Sequence, residues 1–271
     1  MGASVARRIG LVDHYAAQVL LVRSQRGGCA MGVFDWLKKS GTRPAPETID
    51  PDPYSKYCDP DYYPELDPEL GSVPGSPVLP SCNDVFMRFF DRWYSDEERE
   101  RHGRHGTVRP DIARFAAPGT PVSEVSPLTP ESGRTVIEFL RGLASAVSGA
   151  PGKIDLAWIQ GFHAFYDRKE LAKMLEAADP RDRRNPYAMT CQGFAAALGE
   201  VLIASMPGCA WLPDAPVWES AVYDPRGGCR INVFDWAVKK LSEYGVDDGY
   251  AMKVKVCVGM YEDEWRSLEK R

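Results

Sequence analysis

Apolar positions along this chain fall into blocks of helical spacing, separated by Gly, Pro and Asp punctuation. The most ordered block, Asn185 to Gly249, strings together a small-residue-rich helix, a Trp-bearing strand region, a Gly-Gly turn and a second amphipathic helix. Its long helix is predicted over Tyr187 to Met206, opened by Asn185-Pro186 and stopped by Pro207-Gly208. Glycine inside a helix costs about 1 kcal/mol against alanine, so Gly193 and Gly199 there point to close packing by a neighbouring element. Short strands are predicted at Trp211-Leu212, Val217 to Tyr223 and Cys229 to Ile231, with Asp224-Pro-Arg-Gly-Gly228 as a hairpin turn. Asn232 with Asp235 caps a helix reaching Tyr244, where Gly245 ends it. Met252 to Val258 alternates as an edge strand does, which leaves strand and helix both open, and a charged helix follows around Glu262 to Lys270.

Between residues 81 and 175 the elements that the pattern predicts are helices. Ser81 with Asp84 opens a helix carrying Phe86, Phe89, Phe90 and Trp93, and Ser95 with Glu98 opens a short charged one. Thr129-Pro130-Glu131-Ser132 starts a helix lined by Val136, Phe139, Leu140, Leu143 and Val147. Ile154 to Tyr166 is apolar and aromatic, and Asp167 with Glu170 caps the next helix through Leu175. The expected fold class is therefore α+β, mostly helical, with a small antiparallel sheet in the C-terminal part. Residues 81–271 are expected to be compact, in one domain or in two parts divided near 180–185.

Residues 1–80 read differently. The first thirty are Arg-rich and acid-poor, but Asp13, His14 and Gln18 interrupt any secretory apolar core, and Arg26 spoils the lipoprotein reading of Gly28-Cys29. Met31 opens Met-Gly-Val-Phe-Asp-Trp-Leu-Lys-Lys like a natural start, so residues 1–30 are expected to be a non-native N-terminal extension, with a transit peptide as the alternative. A short helix is predicted over 33–39, and its likeness to Val233–Lys240 is too short for a repeat. Residues 42–80 are linker-like, studded with Pro, Asp and Glu, yet carry Tyr54, Tyr57, Tyr62 and Tyr63, which dock on the chain's own domain or on a partner.

Composition narrows the classes. With 271 residues, 44% hydrophobic and 11% aromatic, the chain can build a sizeable core. A net charge of −5 with scattered Lys and Arg argues against nucleic acid. No run of about 20 apolar residues is apparent, so no membrane span is expected. Seven cysteines without a C-x-x-C pair fit neither a disulfide framework nor a zinc site and suit the cytoplasm.

Motifs that carry chemistry are scarce in this chain. His102-Gly-Arg-His105 lacks a third ligand, Gly149-Ala-Pro-Gly-Lys153 lacks the spacing and the Ser/Thr of a phosphate loop, and the Asp-rich linker lacks the EF-hand register, so neither metal nor cofactor is expected. No H-E-x-x-H, G-x-S-x-G or G-x-G-x-x-G occurs. His163 among Phe162, Phe165 and Tyr166 reads as a core residue.

Phe194-Ala-Ala-Ala-Leu-Gly-Glu-Val-Leu202, then Trp211, then Ile231-Asn-Val-Phe-Asp-Trp-Ala-Val-Lys-Lys-Leu241 resembles small bacterial domains with a Leu-Gly-x-x-x-Gly-Glu helix, a Trp hairpin and an Asn/Asp-Pro-Phe-x-x-Val-x-Lys-Arg-Leu helix. The chain departs from that pattern at Ala195 and Val233. Those domains have no assigned activity, so the resemblance implies a fold unit and a bacterial cytoplasmic setting and transfers no catalytic residue. The leading expectation is a non-catalytic protein-binding module of the immunity or adaptor type, with Tyr54, Tyr57, Tyr62, Tyr63, Trp211 and Trp218 as partner-binding residues. The alternatives are an enzyme whose His163, Glu200 and Cys191 converge in space, and a structural or assembly subunit.

Overall fold

The computed structural model describes residues 77–104, 106–148, 154–247, 251, 253–259 and 261. The short helix over 33–39, the four linker tyrosines, His105, the 149–153 loop and the helix at 262–270 lie outside the described residues.

Most helices begin where a short polar side chain can take up the unpaired amides of the first turn. Ser81 does so for α1 (Cys82–Phe89), and Ser95 and Glu98 form a reciprocal capping box on α2 (Asp96–His102). After the four-residue α3 (Val122–Val125), α4 (Pro130–Ser148) takes proline at its first position. Asp155, Asp167 and Asn185 cap α5 (Leu156–Phe165), α6 (Arg168–Ala177) and α7 (Pro186–Ser205).

Helix α7 is the axis of the fold. Helices α4, α6 and α8 (Val233–Lys240) pack along it, and its remaining surface meets the sheet. Its glycines mark the closest approaches: a Cβ at Gly193 would overlap Val147 of α4, and one at Gly199 would overlap the Trp211 ring. By length and composition α7 could cross a membrane, contrary to the expectation from sequence, but 72% of its apolar window is buried inside the fold, as befits a core helix. A single hydrophobic cluster joins α1, α4–α8 and the sheet, so the 81–180 and 185–271 stretches share one core.

The sheet is antiparallel with order β1-β4-β3-β2, built from β1 (Ile112–Arg114), β2 (Ala210–Leu212), β3 (Ala221–Asp224) and β4 (Cys229–Ile231). Together with the helices it makes the fold α+β. The β3–β4 turn closes at Gly228, whose φ of +62° and contact with the Ala116 carbonyl both exclude a side chain.

Two expectations are corrected, at 217–219 and at the end of α8, and the reading left open for 252–258 is resolved. Val217–Glu219 is a 3-10 turn in which the Glu219 and Ser220 amides bond back to the Pro216 and Val217 carbonyls, so the strand begins only at Ala221. Residues 253–259 are helical: Ala251, Val254, Cys257 and Tyr261 are buried at spacings of three to four, a period the Lys-Val alternation masks. Helix α8 stops at Lys240, whose buried ammonium turns to the carbonyls of Gly245 and Val246.

Candidate functional site

Arginine 104 organises the polar interior. Helix α2 ends at Gly103 in the left-handed conformation, and the chain turns there so that Arg104 points inward rather than along the surface. Its guanidinium forks onto Asp235 at 2.8 and 3.0 Å, donates Nε to Glu219 at 2.7 Å and lies 4.7 Å over the Phe86 ring. Glu219 also accepts from the Tyr94 hydroxyl and from Arg109, while Asp235 accepts the Arg109 amide at 2.8 Å. Burial would push the Glu219 carboxyl up, yet Arg104 and Arg109 outweigh it and hold the group below the usual carboxylate range. Burial and the Glu219 charge drive the Tyr94 phenol far up, so it stays a proton donor. Asp235 is thus an ion-pair partner and not the helix cap expected of it, and Asn232 caps nothing either: its side chain links Arg230 Nε at 2.7 Å to the Pro110 carbonyl at 2.6 Å.

Arg109, Arg230 and Asn232 carry this network to the wall of an open cleft of about 340 Å³. Arg101, His102, Arg109, Arg114, Asp214 and Arg230 supply its polar wall, and Pro110, Phe115, Val125 and Pro127 its apolar one. Four arginines therefore face one carboxylate. His102 is held at both ring nitrogens, with Nε2 3.0 Å from the Ala215 carbonyl and Nδ1 3.7 Å from Glu219. Asp214, 3.7 Å from both His102 and Arg101, has its pKa raised by burial in spite of those neighbours.

Arg230 is the anomaly. Its side chain is only 9% exposed, yet its bonds go to neutral oxygens, Asn232 Oδ1 and the Glu219 carbonyl at 3.1 Å, and its closest carboxylate oxygen, on Glu219, is 4.0 Å away. Burial and the adjacent Arg109 both lower its pKa. Strand β1 forms one border of the cleft, and its outer edge pairs with no strand among the described residues.

The residues singled out from sequence are not gathered here. Trp211 is 3% exposed, wedged against Gly199 with Nε1 bonded to Glu200 at 2.8 Å, and Trp218 is 7% exposed, edge-on to Phe90 and Tyr94. Neither indole is exposed as a partner-binding residue would be, because both fill gaps between α7, the sheet and α1. Cys191 is fully buried on α7, where desolvation pushes its thiol well up, and none of His163, Glu200 and Cys191 lines the cleft. Among the described residues no group of His, Cys, Asp and Glu is arranged to hold a metal ion. In comparisons with known proteins, no family model, curated protein or solved structure matches the chain.

Proposed function

We propose that this protein is a non-catalytic protein-binding module of the immunity or adaptor type, acting in the bacterial cytoplasm, whose recognition face is the arginine-lined cleft. One observation carries the reading: an outward-facing cleft with four arginines against one carboxylate is bordered by β1, whose outer edge pairs with no strand among the described residues. An extended segment of a partner can pair with such an edge through its backbone and place an acidic side chain among the guanidinium groups. His102 and Asp214, the cleft's proton-transfer candidates, are engaged with each other, with Arg101 and with the protein backbone, which favours binding over chemistry. Tyr54, Tyr57, Tyr62 and Tyr63 are a proposed second contact.

Capture with the full chain, followed by reconstitution from purified components, tests this. A stoichiometric acidic partner retained by the wild type and lost from Arg114→Glu supports it. Absence of a partner, or equal retention by the variant, contradicts it.

A further inference from the structure

We propose that the cleft contains a built site for one phosphomonoester dianion, with Arg230 at its base. Arg104 and Asp235 neutralise each other through a two-pronged pair, which leaves Arg101, Arg109, Arg114 and Arg230 against Asp214 and Glu219, four positive charges against two negative. The residual charge of two matches a dianion, whereas a single carboxylate would cancel only half of it.

The distribution of that charge matters as much as the count. Glu219 is shared among Arg104, Arg109 and Tyr94, so it has little left for Arg230 at 4.0 Å. A guanidinium nine-tenths out of water without a counter-ion of its own is unfavourable unless something supplies the missing charge. Its Nε and Nη2 are committed to Asn232 and the Glu219 carbonyl, while Nη1 makes no hydrogen bond within the described residues. Arg114, on the same wall, is exposed and forms no ion pair among the described residues, and Arg101, bonded to the Ala215 carbonyl through Nη2 and to His102 through Nε, reaches Asp214 only at 3.7 Å. Guanidinium donors from three separate stretches of chain thus border one cleft, a donor set suited to the several oxygens of a phosphate. The cleft is larger than the anion alone, and Pro110, Phe115, Val125 and Pro127 offer an apolar wall to the carbon body that carries it. The identity of that carrier rests on the protein-binding reading, with the partner's acidic side chain now a phosphorylated one; the anion site itself does not rest on it.

Titration calorimetry and thermal melts of the full chain at fixed ionic strength separate the two. The probes are inorganic phosphate, phenyl phosphate, acetate, and a phosphotyrosine peptide with its unphosphorylated twin. The expected result is saturable one-to-one binding of phosphate and phenyl phosphate with a rise in Tm, and none for acetate. Arg114→Ala should weaken binding about tenfold, the loss of a charge-assisted hydrogen bond, without moving the Tm of the free protein. Arg230→Met should abolish binding; should that variant fail to fold, Arg230→Lys, which keeps the charge and loses the fork, should still weaken binding about tenfold. A phosphopeptide bound at least tenfold more tightly than phosphate assigns the carrier to a protein. Equal affinity for peptide and free phosphate upholds the anion site and removes this support from the protein-binding reading. Acetate binding as well as phosphate, no saturable binding, or affinities unchanged in the arginine variants would overturn the proposal.

Discussion

Arg104 and Arg230 are both buried arginines near the carboxylate of Glu219, and they differ in what surrounds them. Arg104 spends its donors on Glu219, both oxygens of Asp235 and the Thr107 carbonyl. Arg230 has two neutral acceptors and no carboxylate within hydrogen-bonding distance. Saturation of the first suits a residue that fixes architecture, since breaking a satisfied buried pair strands its partners. The deficit at the second suits a residue whose missing partner comes from outside.

That contrast can be broken by substitution. Arg104→Met should cost about 3–5 kcal/mol in urea unfolding, because it leaves Glu219 and Asp235 buried with fewer counter-charges. Tyr94→Phe removes a donor to the same buried carboxylate and should cost about 1–3 kcal/mol. Arg230→Met should cause no loss, and a gain of about 1 kcal/mol would be in keeping with removal of an uncompensated buried charge. Arg114→Ala, on the exposed rim, should stay within about 0.5 kcal/mol of wild type.

Two carboxylates sharpen the comparison through pH. Glu219 has a folded pKa below its ordinary 4.5, so its contribution is present above that value and is lost as pH falls through the folded pKa. Asp214 has a folded pKa above its ordinary 3.8, so it opposes stability once pH rises through the folded value. Asp214→Asn keeps an oxygen for the Ala215 amide and should therefore raise the Tm at pH 7, with the gain shrinking as pH drops below the carboxylate range. A gain that persisted in acid would assign the effect to packing instead.

The legible part of this chain was the local part. Caps such as Ser81, the Ser95–Glu98 box, Asp167 and Asn185 act within a few residues, and they mark helix starts wherever they occur. Gly193 and Gly199 correctly announced close packing, although not that Val147 and Trp211 supply it. Strand β1 escaped because three residues carry no usable alternation, and because its pairing with β4 spans more than a hundred positions. The cleft escaped for the same reason: its wall joins residues near 101–115 and 125–127 to Asp214 and to Arg230 and Asn232. A signal did exist in Arg99, Arg101, Arg104, Arg109 and Arg114, five arginines in a short stretch that the net acidic charge of the chain conceals. The indoles misled for a different reason. Tryptophan serves cores and interfaces alike, and only burial tells which.

The most direct test of the central claim is to melt Arg104→Met and Arg230→Met beside the wild type, with and without saturating inorganic phosphate. Arg104→Met should lose a large part of its Tm and Arg230→Met none, and phosphate should raise the Tm of the wild type but not that of Arg230→Met. An Arg230→Met protein as unstable as Arg104→Met, or one that still gains stability from phosphate, would contradict the claim.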